Sequence, residues 1–252
     1  MSENGQAAKA AEPKDSTHAH LAGEVIGRHQ HGYSQLLYVS AGVLAVQTGE
    51  ASWVASSARA MWIPAGIWHQ HRVHGHSSVH TLGFAAHDIL LKSETPVVVA
   101  VDALVRELII ACSEPSLPQQ EARRLRAVLR DRLRRSLVEP LTLPTPNNSV
   151  LRQACALVAD DLQQPRTAAW LARRIGVSER TLARLFRTEF GMTYPQWRTN
   201  IRVFHAMVLL AEGASVSETG RRCGWATTSA FIDTFSRTMG QTPGTYRIGS
   251  GG

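Results

Sequence analysis

Cysteine is scarce in this chain of 252 residues. The three cysteines, Cys112, Cys155 and Cys223, are widely spaced and form no CxxC motif. Their number and spacing exclude a disulfide framework and are typical of proteins in a reducing compartment. We therefore expect a cytoplasmic protein.

Long apolar runs are also missing. Residues 1–22 contain no apolar core of signal-peptide length, and no later run reaches the roughly 20 residues of a membrane-spanning helix. We expect residues 1–22 to form a flexible tail, and we expect no membrane partner. A hydrophobic content of 44% and a charged content of 19% are instead typical of a globular protein, here long enough for two domains.

Basic side chains outnumber acidic ones most strongly in the C-terminal part. Residues 150–248 contain thirteen arginines and seven carboxylates, whereas residues 1–100 contain six basic and seven acidic side chains. The net charge of +7 therefore favours an anionic partner, such as nucleic acid, for the C-terminal part. Histidine has the opposite distribution, because ten of the eleven histidines lie at or before His87 and only His205 lies beyond. The two halves carry different chemistry.

Short apolar segments separated by glycine and proline fill most of residues 23–95. Five of them are strand-sized and rich in Val, Trp and Tyr: QLLYVS, VLAVQTG, ASWVAS, AMWIPAG and HTLGFAA. Strands of this length and spacing predict an antiparallel sheet, sandwich or barrel. His71, His74 and His76 precede the last of these segments and His80 begins it. We expect most of the four to be exposed in or beside a hairpin loop.

A helical period replaces the strand pattern over residues 96–140. Four leucines recur at every fourth position, among many arginines: Leu125, Leu129, Leu133 and Leu137. This stripe predicts linker helices that either pack on the sheet or form a dimer interface. Residues 141–149 contain Pro144 and Pro146 and are predicted to form a linker.

One segment then occurs twice in the remaining helical part. Three residues recur at an offset of 48, namely Arg173, Arg174 and Gly176 as Arg221, Arg222 and Gly224. Four more recur at an offset of 49, namely Leu182, Phe186, Gly191 and Thr193 as Phe231, Phe235, Gly240 and Thr242. Each copy predicts two short helices about a tight turn, over about residues 167–190 and 215–239. Such helix-turn-helix motifs place their second helix in the major groove of DNA.

Local signals predict where these helices begin and end. Thr167 and Ser178 are predicted caps in the first copy, with Gly176 in a left-handed turn between them. In the second copy Ser215 or Ser217 is expected to cap the first helix and Thr227 the second. Pro195 is expected to start a spacer helix that ends near Glu212. Its length of roughly 25 Å is of the order needed to separate two recognition helices by one DNA turn, about 34 Å.

From about Val150 to Arg247 the chain resembles the DNA-binding domain of the AraC/XylS family of transcription regulators. LARRIGVSERTLARLFRTEFGMT, from Leu171, resembles the first helix-turn-helix motif of that family, and SAFIDTFSRTMGQTPGTYR resembles its C-terminal signature. Together with the exposed positions of both recognition helices, the resemblance implies a set of DNA-binding residues: Glu179, Arg180, Arg184, Arg187, Thr227, Thr228, Ser229 and Asp233. Arginine suits base reading because its planar fork pairs with guanine O6 and N7. Asp233 takes a position that is basic in some family members, so we expect the first motif to grip bases more than the second.

Two histidine-containing segments resemble cupin motifs. Gly27-Arg-His29-Gln-His31, with Gln35 and Gly42 after it, resembles the first motif, and Pro64-Ala-Gly66-Ile-Trp-His69 resembles the second. The resemblance implies the cupin-type sensor barrel that many AraC-type regulators carry, here over residues 23–95.

Those histidines form a candidate site for a divalent metal. His29 and His31 are two apart on a strand and face the same side. If that side is the interior, His69 joins them around the metal, with Gln35 as an oxygen donor. A neutral amide is a poorer ligand than the carboxylate usual in metal-binding cupins. Three alternatives stay open: a metal site, a metal-free ligand pocket, and a barrel without a small-molecule role.

The expected fold class is α+β: a cupin-like antiparallel β-barrel (23–95), linker helices (96–140) and an all-α domain with two helix-turn-helix motifs (150–248). The expected function is sequence-specific transcription regulation without enzymatic activity. The family mostly activates, and a small-molecule or metal effector would shift the DNA-binding population. The implied partners are double-stranded DNA, a second copy of the chain and, for an activator, RNA polymerase. A cupin metalloenzyme with an attached DNA-binding module and a constitutive architectural DNA binder are the alternatives.

Overall fold

The computed structural model describes residues 13–49, 51–86, 91, 93–135 and 143–249. The strands in these ranges are β1 Ser16–His20, β2 Val25–His29, β3 Ser34–Thr48, β4 Ala51–Ala55, β5 Arg59–Ile63, β6 His69–Phe84, β7 Val97–Ala100 and β8 Leu143–Pro144. The helices are α1 Ala103–Ser113, α2 Gln119–Leu133, α3 Ser149–Asp160, α4 Ala168–Arg174, α5 Glu179–Phe190, α6 Tyr194–Ala211, α7 Val216–Arg222, α8 Thr228–Met239 and α9 Pro243–Gly249.

Two long antiparallel strands, β3 and β6, join the two halves of the sheet. The first half has the order β1-β6-β3-β5-β7, and the second has the order β2-β6-β3-β4-β8. Register shifts in β3 between Val39 and Val43 separate the halves. The α+β expectation and the antiparallel cupin-like sheet are confirmed. Among the described strands the pairing does not close into a ring, so the sheet is open where we expected a barrel.

The sheet has an apolar interior because alternate residues of β3, β4 and β6 point inward. These inward-pointing residues form one apolar cluster. Its fully buried members include Leu37, Leu44, Val46 and Val73, and it also contains Trp53, which is 7% exposed. The interior of the sheet is thus filled with side chains over much of its length, and the polar histidines lie at one end of it.

The outer faces of the sheet are covered by two different groups of helices. Helices α1 and α2 pack on the first half, where Leu129 and Leu133 are fully buried against residues such as Leu36 and Leu82. The leucine stripe is therefore used for packing on the sheet, and Leu137 lies outside the described residues.

The second half of the sheet contacts the C-terminal helices directly. Val43 and Val54 belong to one apolar cluster with Met207 and Phe235. The first half adds one contact, because Arg59 Nη2 on β5 donates a hydrogen bond to the carbonyl oxygen of Thr238, at 3.1 Å. The sheet and the second helix-turn-helix motif are therefore packed as neighbours.

Three domain boundaries differ from the prediction. Residues 16–20 are not a tail but strand β1, which pairs with β6. Residues 97–100 form strand β7 ahead of the first linker helix. Residues 143–144, in the predicted linker, pair with β4 as an edge strand, a position where Pro144 is tolerated. Strand β1 is polar, β8 has only two residues, and β7 (VVVA) is apolar but only four residues long. The backbone of each pairs with a strand that is distant in sequence.

The helical half begins and ends its helices at the predicted residues. The hydroxyl groups of Thr167, Ser178, Ser215 and Thr227 each accept a backbone N–H two or three residues into the following helix. Thr193 caps α6 in the same way, so that Pro195 lies in its first turn. Of the helices described, none is long and apolar enough to span a membrane.

Candidate nucleic-acid interface and histidine cluster

Helix α5 has one buried and one cationic face. Leu182 and Phe186 are buried in an apolar cluster with α3, α4 and α6. Arg180, Arg184 and Arg187 are exposed on the other side, where spacings of four and three residues place them on one face. None of the three forms a salt bridge with a described carboxylate. Their guanidinium donors are thus available to a partner, and Glu179 is exposed at the start of the same helix.

Helix α8 is the corresponding helix of the second motif, and its exposed face is small and polar. Phe231 and Phe235 are fully buried, whereas Thr228, Ser229 and Asp233 are exposed. Thr227 is exposed too, but its Oγ1 accepts the backbone N–H of Ala230 at 3.2 Å. This face carries fewer cationic donors than α5, which fits the expected asymmetry of the two motifs.

Helix α6 connects the two motifs. Its N-terminal half, including Trp197 and Ile201, packs in the apolar cluster of the first motif. Its C-terminal half, including Val203 and Met207, packs in that of the second motif. The helix has 18 residues and is therefore about 27 Å long.

A close backbone approach also joins the two motifs. Gly224, in the turn of the second motif, has a φ of +79°. A Cβ atom at Gly224 would lie 2.1 Å from the carbonyl oxygen of Leu162, in the loop before the first motif. Gly176 occupies the equivalent turn of the first motif with a φ of +73°, and no atom lies within 4 Å of its Cβ position.

Three of the predicted metal ligands meet at one end of the sheet. His29 on β2, His31 in the following loop and His69 on β6 each offer a nitrogen atom, and these atoms lie within 4.8 Å of one another. The ring centroids of His29 and His69 are 4.3 Å apart, and those of His29 and His31 are 4.9 Å apart. The geometry thus gathers three imidazoles, the usual nitrogen ligands of divalent transition metals.

Backbone carbonyl groups hold two of these rings in one orientation. His29 Nδ1 lies 2.7 Å from the carbonyl oxygen of Gly27, and His69 Nδ1 lies 2.9 Å from that of Ile67. A neutral imidazole that donates from Nδ1 keeps its lone pair on Nε2. The Nε2 atoms of His31 and His69 are buried without a hydrogen-bond partner among the described residues. A metal ion would satisfy those lone pairs, so the residues present fit such an ion.

Burial favours the neutral form of two of these histidines, His31 and His69. Desolvation lowers the pKa of His31, with the charge of His29 as a second cause. Burial lowers the pKa of His69 to about 4, against the hydrogen bond to Ile67, which raises it. A metal ligand must be deprotonated, and these rings meet that requirement at neutral pH.

The fourth predicted ligand, Gln35, lies on β3. It is 7% exposed, and its Oε1 atom is buried without a hydrogen-bond partner among the described residues. Its backbone pairs with Ile63 and Gly83. The three histidines form the cluster, and Gln35 as a ligand stays a prediction.

His71 is a site residue that the sequence analysis missed. The expectation of exposed loop histidines is wrong at two positions, because strand β6 continues through residues 69–84 and buries His71 and His80. The ring centroid of His71 is 5.1 Å from that of His69, and both its nitrogens lack a partner among the described residues. Burial lowers its pKa to about 3. The two-residue spacing from His69 was the available signal for this position.

Comparison with known proteins gives the same division of the chain. A helix-turn-helix domain family matches residues 171–248, and a cupin domain family matches residues 19–83. The HTH-type transcriptional regulator NimR of Escherichia coli (strain K12) is 29% identical over 221 residues, which cover 86% of this chain and 81% of that protein. The similarity therefore runs through both halves of the chain.

Two further relatives cover the C-terminal half. The HTH-type transcriptional activator RhaR of Salmonella schwarzengrund (strain CVM19633) is 30% identical over 104 residues, 41% of this chain and 37% of that protein. The C-terminal domain of AraT, a response regulator from Geobacillus stearothermophilus, has 26% identity over 41% of this chain and 88% of its own, with a TM-score of 0.39. The matched part of the chain thus spans about four fifths of the length of NimR and little more than a third of the length of RhaR.

Proposed function

Because this chain belongs to the AraC family of DNA-binding transcription regulators, with a cupin domain ahead of its helix-turn-helix domain, we propose that it reads a specific DNA site in response to an effector. The observation that carries the proposal is the unpaired arginine face of α5, opposite a fully packed apolar face. In this proposal Arg180 and Arg184 contact base edges. Glu179 and Arg187 lie beside them, and Thr227, Thr228, Ser229 and Asp233 of the second motif position the protein along the groove.

The effector site in this proposal is the histidine cluster. His29, His31 and His69 would hold a divalent metal ion, with Gln35 as a further donor, or would line the pocket of a small molecule. The ion would supply a fixed positive charge that links β2, the loop after it and β6. That link supports a regulatory role, because it lies in the half of the sheet that packs on the second motif.

The remaining partners follow from the proposed role. RNA polymerase is the partner if the protein activates, as the activator RhaR does by its name. For a homodimer, the candidate surface is the outward side of α1 and α2, where Leu104 and Val128 are 42% and 46% exposed. We propose no enzymatic activity, since the relatives are transcription regulators and the histidine cluster contains no carboxylate. The site of action would be the cytoplasm, where the DNA is.

Replacing Arg184 with alanine tests the DNA-reading role. We expect Arg184→Ala to weaken binding to the selected site by about 1–3 kcal/mol and to relax the sequence preference at one position. The site is first obtained by selecting bound duplexes from a random DNA pool with the wild-type protein. Affinities for that site and for a scrambled duplex are then measured by fluorescence anisotropy.

Arg123→Ala is the matched control for this measurement. Arg123 is an exposed arginine on α2, on the side of the sheet away from the helix-turn-helix motifs. Its loss removes the same charge and should leave the sequence preference unchanged. Equal losses for both variants, on both duplexes, would contradict base reading by Arg184. A wild-type protein that selects no site from the pool would overturn the proposed function.

A further inference from the structure

A cavity of about 330 Å³ lies between the start of the first motif and α6, and its lining includes three cations and no carboxylate. Three arginines contribute to its wall, Arg166 before α4 and Arg198 and Arg202 on α6. The other lining residues are neutral: Pro165, Thr167, Ala168, Tyr194, Pro195 and Thr199. We refer to it as the arginine cavity. Three like charges gathered without a counter-ion predict that an anion completes the site.

The arginines are held in place by contacts that leave donors free. The guanidinium of Arg166 lies 4.2 Å from the ring centroid of Trp170, and that of Arg202 lies 3.9 Å from that of Trp225. Stacking of this kind uses the face of the guanidinium and leaves the N–H donors at its edge. Arg202 Nε donates to the carbonyl oxygen of Cys223 at 2.5 Å, and the terminal nitrogens of Arg202 have no partner among the described residues. Trp170 belongs to the first motif and Trp225 to the second, so the second motif supports the site only through its contact with Arg202.

Two nitrogen atoms of the cavity arginines are buried and could still donate a hydrogen bond. The Nε atoms of Arg166 and Arg198 are buried and have no hydrogen-bond partner among the described residues. Arg198 Nη2 donates to the carbonyl oxygen of Gln164 at 2.7 Å, which fixes the position of that side chain. Burial, with the charge of Arg198 as a second cause, lowers the pKa of Arg202 to about 10, so it stays charged at neutral pH.

The position of the cavity selects the kind of anion. A second cavity, of about 460 Å³, shares Ala168, Tyr194 and Pro195 with it and is lined on its other side by Arg180 and Arg187 of α5. The arginine cavity is therefore continuous with the predicted base-reading surface. It lies at the N-terminal half of α6, beside the start of the first motif.

We propose that the arginine cavity binds a phosphate group of the DNA backbone, at the stretch of duplex that runs between the two major-groove contacts. Arg166, Arg198 and Arg202 would donate charge-assisted hydrogen bonds to its oxygens. This inference rests on the proposed function and assigns a sequence-independent contact within the same interface. Such contacts fix the register of the protein on the duplex and add to the salt dependence of binding.

The salt dependence of binding to a mixed-sequence 30-base-pair duplex tests this assignment. We expect Arg198→Ala to reduce the slope of log affinity against log salt by about 1, and to weaken binding by about 8-fold at 0.1 M salt. Arg198→Gln removes the charge while keeping a donor for Gln164, and it should give the same reduction if Arg198→Ala does not fold. Arg123→Ala, the charge-matched control on α2, should leave the slope unchanged.

Each other outcome overturns the assignment in a recognisable way. Unchanged slopes for both Arg198 variants, or equal changes for Arg198→Ala and Arg123→Ala, would remove the phosphate contact while leaving the role of Arg184 intact. Inorganic phosphate could instead raise the melting temperature of the wild type but not of Arg198→Ala, with unchanged slopes. The cavity would then take a free anion rather than DNA. A wild type that does not bind duplex at all would overturn the proposed function and this inference together.

Discussion

Gly224→Ala should destabilise the protein far more than the same substitution at Gly176. Both glycines occupy the turn of a helix-turn-helix motif with a φ between +70° and +80°. A left-handed alanine costs roughly 1–2 kcal/mol, and we expect Gly176→Ala to lose about that much. At Gly224 the new methyl group would also lie 2.1 Å from the carbonyl oxygen of Leu162. Relieving such an overlap adds about 1–3 kcal/mol, so the total loss should reach about 2–5 kcal/mol.

The measurement is urea unfolding of both variants and the wild type, followed by circular dichroism. The pair is well matched, because the two positions differ in their surroundings and share their backbone conformation. Equal losses of unfolding free energy at the two glycines would show that the turn of the second motif does not approach the loop at Leu162. A larger loss at Gly176 would contradict the packing described for the two motifs.

Removal of one histidine from the cluster should abolish stoichiometric metal binding. The wild-type protein, treated with chelator and then dialysed against zinc, is expected to retain about one ion per chain. His69→Ala leaves two clustered imidazoles and should retain none after the same dialysis. His69 is the best choice for this test because its Nδ1 is engaged by Ile67, which leaves the buried Nε2 as the ligand atom. Elemental analysis gives the stoichiometry directly.

His76→Ala is the control for general histidine chemistry. His76 is exposed on the same strand, β6, and it is not part of the three-histidine cluster. It should behave as the wild type does. Equal metal content in all three proteins, whether near zero or near one, would remove the metal from the proposal. The histidines would then line a pocket for a small molecule.

Most of the helical half could be predicted because its signals are local. A cap such as Ser178 interacts with an N–H group three residues away, and Gly176 sets its own turn. The stripe of Leu182 and Phe186 likewise records the buried face of α5 within one helix. In such helices the sequence nearly suffices to predict where each helix begins and which side chains are buried.

The sheet was predicted less completely because its pairing is non-local. Strand β1 is polar, and it pairs with residues of β6 that lie 57 to 65 positions further along the chain. This pairing leaves no pattern in the five residues of β1. His71 is buried by the same long-range pairing, because β6 extends through a stretch that is polar in sequence. The arginine cavity also escaped prediction, since Arg166 and Arg202 come together only after the first motif has packed on α6. The periodicity of a local segment carries no information about contacts between residues that are distant in the sequence.

The sharing of α6 by both apolar clusters has a consequence for how the DNA-binding half folds. Trp197 and Ile201 belong to one cluster and Val203 and Met207 to the other, so neither motif has a complete core without this helix. Local opening of one motif therefore exposes apolar surface of the helix that supports its neighbour. The duplicated segment should then behave as one cooperative unit, with amide hydrogens of α5 and α8 exchanging at a common free energy of opening. Although the segment is duplicated in the sequence, we therefore expect its two copies to unfold together.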